Sequence, residues 1–282
     1  FLGNVASALT VASGDTFTLT NSGSTSVSGS GKLNANVAGI LILDDSLNAN
    51  TFSGGSVLSG GGTVKINSTT SLGDQTTGAA ALKDITLQAT ADINTSRNFT
   101  LGSAAARIAV DSTKTFTLSG NIVDGAQAGV LTKTGNGVLE LSGTGNTFSG
   151  GTTVTAGTLR VSNASGSATG TGAVTVSGSS TTLSGAGTIA GLHDRQRLDL
   201  EHGALKGLVR VSGDGHARAH AGTDLADIDL VDGVRTCTDV KSAIRSTAPA
   251  SSMPPAMMES SASNMGRSAT ANPATELKTI SA

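Results

Sequence analysis

From Leu131 to Leu159 apolar residues alternate with Thr, Ser, Lys or Glu, and glycine or asparagine ends each run within a few residues. A period of two marks strands with one buried face, and Gly and Asn mark the turns between them. The same grammar predicts short strands at Phe17–Thr20, Ile40–Leu43, Thr63–Ile66, Ile85–Leu87, Phe99–Leu101, Ile108–Val110, Phe116–Leu118, Val130–Thr132, Val138–Leu141, Thr153–Thr155, Thr158–Val161, Ala173–Val176 and Thr188–Ile189. The gaps are too short for crossover helices, which excludes ordinary α/β folds. A β-sandwich and a stacked solenoid remain.

Repetition decides between them. Thr16-Phe-Thr-Leu19 returns as Thr115-Phe-Thr-Leu118, 99 residues on. Thr51-Phe-Ser-Gly-Gly55 returns as Thr147-Phe-Ser-Gly-Gly151, 96 residues on, and Gly62-Thr-Val-Lys-Ile66 as Gly157-Thr-Leu-Arg-Val161, 95 residues on. Three blocks in one order at nearly one offset indicate duplication of a unit of several rungs, with small insertions at the corners.

Composition agrees. Aromatics are 2% of the 282 residues and charged residues 13%. A globule so poor in large side chains would struggle to offset chain entropy. A β-solenoid escapes that limit, because backbone hydrogen bonds run up the stack and the interior needs only small and branched residues. At roughly 22 residues per rung, residues 1–191 make about eight or nine rungs, on the order of 40 Å of stack. A net charge of −2 gives no electrostatic case for nucleic acid or anionic membrane. One cysteine excludes a disulfide framework. The longest apolar run, Val37–Leu43, reads as a buried strand and is far short of the ~18 residues of a membrane helix.

The segment Leu131-Thr-Lys-Thr-Gly-Asn-Gly-Val-Leu-Glu-Leu141, followed by Asn146-Thr-Phe-Ser-Gly-Gly-Thr-Thr-Val154 and Gly157-Thr-Leu159, resembles the β-strand repeat of bacterial autotransporter passenger domains, the passenger-associated transport repeat. The resemblance covers about thirty residues. It implies an all-β, right-handed parallel β-helix with a mechanical role in secretion and surface display, and no catalytic residues. Under it Leu139, Leu141, Val154, Leu159 and Phe148 form inward stacks, and glycines hold the corners. The localisation implied is extracellular or cell-surface, associated with the outer membrane. No membrane barrel pattern is visible, so the translocator is expected elsewhere in the gene.

The chain changes language near Gly191. Residues 1–191 hold no His, Cys, Met or Pro, whereas residues 192–282 hold all four His, the single Cys, all four Met and all four Pro. We expect a β-helix region at 1–191 and a low-order tail at 192–282, with 246–276 disordered by composition. One compatible codon choice for Leu192–Gly203, read one nucleotide later, gives Ser-Thr-Thr-Val-Asn-Gly-Ser-Ile-Ser-Ser-Thr, a natural continuation of the repeat. The tail therefore reads as frameshifted or wrongly bounded coding sequence, which the source DNA decides. Phe1 is preceded by no Met or basic segment, so no intact signal peptide is expected.

Candidate sites are sparse. His216 and His220 have the spacing of two metal ligands on a helix, but lack the Glu of a zinc-protease motif and any helical pattern. Asp224, Asp227, Asp229 and Asp232 have the wrong spacing for a calcium loop, which also needs a final Glu. Asp44-Asp45 is the one adjacent carboxylate pair before Gly191 and reads as a turn after a buried strand. A β-helical carbohydrate-active enzyme would want clustered carboxylates with His and basic residues beside them, and a glycan-binding module would want exposed aromatics. Thr16/Thr18, Thr115/Thr117, Thr132/Thr134 and Thr153/Thr155 form Thr-x-Thr pairs whose sequence spacing is irregular, as outward strand positions produce. Asn67, Asn94, Asn98 and Asn163 head glycosylation sequons that chance explains in so Asn-, Ser- and Thr-rich a chain. The reading assigns no catalytic, cofactor-binding or metal residue and no cofactor. It expects a non-enzymatic stalk or adhesin-like display segment whose partner is a host or environmental surface.

Overall fold

The computed structural model describes residues 9–20, 27–102, 106–178 and 180–189 in full. Beyond them it gives only the backbone of short strands between Arg197 and Arg245. Between Leu9 and Ile189 the chain is a parallel β-solenoid with three sides, and no helix occurs among the described residues.

The first face carries Leu9–Val11, Leu33–Val37, Ser56–Ser59, Ala80–Lys83, Phe99–Leu101 and Ile122–Asp124. The second carries Thr16–Thr20, Ile40–Asp44, Thr63–Ile66, Ile85–Ala89, Ala106–Val110, Leu131–Thr134, Thr152–Val154 and Val174–Ser177. The third carries Ile93–Thr95, Thr115–Leu118, Val138–Leu141, Thr158–Val161 and Thr182–Gly185. All pairing on these faces is parallel, which rules out the sandwich. On the second face the register runs Thr16, Ile40, Thr63, Thr86, Arg107, Thr132, Thr153, Thr175, seven turns at roughly 23 residues each. Every strand expected from the sequence is found, with ends moved by a residue or two.

Register explains the interior. On the second face Leu41, Val64, Leu87, Ile108, Lys133, Val154 and Val176 stack in one inward row, and each is fully buried. On the third face Phe116, Leu139, Leu159 and Leu183 do the same. The inward stacks expected for Leu139, Leu141, Val154, Leu159 and Phe148 are all present, at 0% exposure. The run Val37–Leu43 corrects one expectation. It is not one strand buried on both sides but two strands meeting at an Ala38-Gly39 corner. Leu41 and Leu43 point inward, while Ile40 and Ile42 are half-buried on the outer side.

The duplicated unit does not repeat after a whole number of turns. Ile40–Asp44 and Thr63–Ile66 stack on the second face, yet their counterparts Val138–Leu141 and Thr158–Val161 stack on the third. Thr16–Thr20 lies on the second face and its counterpart Thr115–Leu118 on the third. The segment around Phe52 lies between second-face and first-face strands, hence on the third side. The segment around Phe148 lies on the first side, where Thr147 N donates to Ile122 O at 2.9 Å. The unit therefore advances four turns and one face, which accounts for an offset of 95 to 99 residues. Loop insertions at the corners add the drift between blocks.

The corners are tight. Gly73 and Gly170, at φ +86° and +72°, sit against the rings of Phe52 and Phe148, where an added Cβ would lie 2.6 Å and 2.9 Å from ring carbons. Only a residue without Cβ lets the two copies of this phenylalanine fill the lumen.

Past Ile189 the second face is extended by Arg197–Glu201 and His216–Ala219, and the third by Ala204–Lys206 and Asp224–Leu225. Thr188–Ile189 starts a further sheet with Val209–Ser212 and Ile228–Val231. Most of the expected low-order tail, including 246–276, lies outside the described residues, as do the side chains of the strands named here.

Candidate functional site

Polar side chains inside a solenoid must find partners, because a buried unpaired polar group costs about 1–3 kcal/mol. Among the described residues most of them bond neighbouring turns, and the buried Thr169 Oγ1 has no partner. Asn146 accepts from Ile122 N at 2.7 Å and donates to Ala168 O at 2.7 Å, clamping the turns below and above. Its counterpart Asn50 accepts from Val27 N and reaches Ser71 O. Asn163 accepts from Thr188 N at 2.8 Å and donates to Ser165 O and Gly166 O.

Among the described residues two cations, Arg97 and Lys133, are buried inside the solenoid. Arg97 is 1% exposed and donates to the carbonyls of Gly78 and Gly73. Burial pushes its guanidinium down to about 10, against the pull of Asp74. It lines a small cavity with Ile66, Leu72, Ile93, Phe99 and Phe116. Lys133 is 0% exposed, and burial pushes its ammonium down to about 8. Sequence reasoning placed Lys133 among the polar partners of the alternation, although it keeps phase with inward Leu131; that phase was the signal available.

The carboxylate pair is structural. Asp45 is 6% exposed and accepts from the hydroxyls of Ser68, Thr70 and Ser71 at 2.6–2.8 Å. Asp44 accepts from Ser46 and from Asn67 Nδ2, and those bonds hold it below the usual carboxylate range. On the outer third face, Glu140 receives Arg160 at 2.6 Å, Ser162 Oγ at 2.7 Å and Thr117 Oγ1 at 3.3 Å. Burial raises the Glu140 pKa, but these donors outweigh it and the net shift is downward.

Hydroxyls at strand ends form a second set of cross-turn ties. Ser59, Thr90, Ser119, Ser142, Thr155 and Ser177 each donate to a carbonyl one turn below, at 3.1–3.5 Å. The Thr-x-Thr pairs are more ordered than their sequence spacing implied. Thr132 pairs with Thr153, so Thr132/Thr134 and Thr153/Thr155 occupy consecutive turns of the second face. Thr16/Thr18 lie on the first turn of that face, and Thr115/Thr117 on the third face. Of the sequon residues, Asn94 and Asn98 are exposed, Asn67 is half-buried and Asn163 is buried.

His216 opens the strand His216–Ala219, not a helix; its side chain and His220 lie outside the described residues. Asp224 and Asp229 fall on strand backbone, and Asp227 and Asp232 lie outside the described residues. Among the described residues no three His, Cys, Asp or Glu side chains gather as metal ligands, and no helix is long and apolar enough to cross a membrane.

A passenger-associated-transport-repeat family profile matches residues 38–66 and 131–161. The first segment holds second-face strands Ile40–Asp44 and Thr63–Ile66 with first-face strand Ser56–Ser59, and the second holds two second-face and two third-face strands. The Adhesin BmaC autotransporter of Brucella suis biovar 1 (strain 1330) is 34% identical over 117 residues. The match covers 42% of this chain and 3% of that much longer protein. No solved structure matches the chain. The two segments that match the passenger-associated transport repeat belong to one parallel β-solenoid.

Proposed function

We propose that this solenoid is a non-enzymatic passenger segment of a bacterial surface protein, serving as a stalk or adhesin-like display rod and helping its own export. The observation that carries this reading is the use made of the buried polar groups. Asp45, Asn50, Asn146, Asn163, Arg97 and Lys133 hold turns together, and Thr is frequent at the outward strand positions. A rod of that build gives mechanical reach. Each turn buries its apolar residues on the one before, so folding can proceed turn by turn and draw the chain outward. The match to a named autotransporter adhesin supports a place at the cell surface or in the secreted fraction. The partner would be a host or environmental surface, and a separate translocator barrel would carry the rod across the outer membrane.

The test is display of the chain, fused to a heterologous translocator, on a strain stripped of adhesins. Surface exposure with gain of attachment supports the reading. Polysaccharide cleavage by the purified chain, or attachment unchanged from the empty translocator, would overturn it.

A further inference from the structure

Chance accounts for the sequons at Asn67, Asn94, Asn98 and Asn163 as a set, but the fold uses them unequally. A glycan joins asparagine at Nδ2, so the side chain must reach solvent with its amide uncommitted. Asn163 is buried, and its Nδ2 donates to Ser165 O and Gly166 O. Asn67 is half-buried, and its Nδ2 donates to Asp44 at 2.7 Å. Asn98 is exposed, but its Oδ1 accepts from Asn121 N at 2.8 Å, which commits the amide to the next turn. Asn94 is exposed, and its side chain bonds to nothing among the described residues.

The hydroxyl two positions on separates them again. Thr69 and Thr100 are half-buried, whereas Ser96 is exposed. Ser165 is exposed as well, but its sequon starts from the buried Asn163. The sequon at Asn94 thus presents both its amide and its hydroxyl to solvent. The strand Ile93–Thr95 explains the amide: Ile93 and Thr95 are buried, so the residue between them faces outward from the third face. Above Asn94 the same outward row holds Thr117, Glu140, Arg160 and Ser184. A sugar laid along that row meets groups that can hydrogen-bond its hydroxyls.

We propose that Asn94 is a glycosylation site, at which a glycosyltransferase attaches a hexose from a nucleotide-activated sugar. Asn94 Nδ2 forms a bond to C1 of the hexose and gives up a proton to the transferase. The bond from C1 to the phosphate oxygen breaks, and the nucleoside diphosphate leaves with its electron pair. This goes beyond the passenger reading and does not depend on what the rod attaches to.

The test uses the chain recovered from the bacterium that makes it. Trypsin cuts after Lys83 and Arg97, so Asn94 falls in residues 84–97 and Asn98 in residues 98–107. By mass spectrometry residues 84–97 carry a hexose, which fragmentation places on Asn94, and the peptides of Asn67, Asn98 and Asn163 are unmodified. Asn94→Gln and Ser96→Ala, each made in the same bacterium, lose the sugar, and Ser96→Thr keeps it. The circular dichroism of all three matches wild type, so the loss is not one of folding. Unmodified residues 84–97 in the wild type overturn the proposal. So does a sugar that survives Asn94→Gln, which is then linked to a hydroxyl, or equal occupancy at Asn163.

Discussion

Lys133 reaches up one turn to Ala156: its ammonium donates to the Ala156 carbonyl at 3.1 Å while holding those of Thr134 and Gly135 at 2.8 Å and 2.7 Å. Ile108 and Val154 lie below and above it in the inward row. Removing an ammonium from water costs several kcal/mol, which the three carbonyls offset in part. Burial lowers its pKa from 10.5 to about 8. Between those values the folded chain binds fewer protons than the unfolded one, so stability rises with pH through this window, and the full penalty is present below it. Denaturation followed from pH 7 to 10 should show a gain of up to about 3 kcal/mol. Lys133→Met should flatten that slope; a slope that persists in the variant assigns it to another group.

Leu159 and Thr158 are neighbours on opposite sides of one strand. Leu159→Asp buries a carboxylate between Leu139 and Leu183, and should cost several kcal/mol. Thr158→Asp stands on the outer side and should cost less than about 1 kcal/mol. Urea midpoints of the two variants check this. Equal losses would mean that the assignment of inside and outside is wrong.

Glycines with positive φ should separate by what lies beside them. Gly170→Ala combines backbone strain with a Cβ driven against the Phe148 carbonyl oxygen and 2.9 Å from its ring, and should cost about 2–3 kcal/mol. Gly14→Ala, at φ +86° with nothing within 4 Å, bears the strain alone and should cost about 1 kcal/mol. Thermal melts of both variants rank them, and a reversed order would show that the contacts at Phe148 add nothing to the strain.

Removing residues 192–282 should leave the circular dichroism of the β-helix region intact. It strips Arg197–Glu201 from Val174–Ser177, so some end-to-end association is expected as well. Outright loss of β structure would place the fold boundary well beyond Gly191.

The second face and the third-face strands Thr115–Leu118, Val138–Leu141 and Thr158–Val161 were legible because inward Leu, Val, Ile and Phe alternate with Thr, Glu and Arg; Ile93–Thr95 and Thr182–Gly185 were not. The first face was mostly missed. Its strands Leu33–Val37, Ser56–Ser59 and Ala80–Lys83 set Ala35, Ser56 and Ala80 inward, so the period of two survives without the bulk that makes it visible. What makes these residues strands is the pairing supplied by adjacent turns, a tertiary effect that no local window contains. The buried cations were missed for a related reason. Lys133 and Arg97 look like surface residues until the stack brings carbonyls from other turns around them.

The one-face advance of the duplicated unit makes the sequence period a screw. Phe52 and Phe148 anchor the same corner of the repeat, but those corners leave the rod a third of a circle apart. Three such units would bring the corner back to its starting azimuth. In a longer array, the Asn-Thr-Phe-Ser-Gly-Gly corners would be set round the shaft like the treads of a spiral stair. Whichever way such a rod rolls on a surface, one tread in every three faces it.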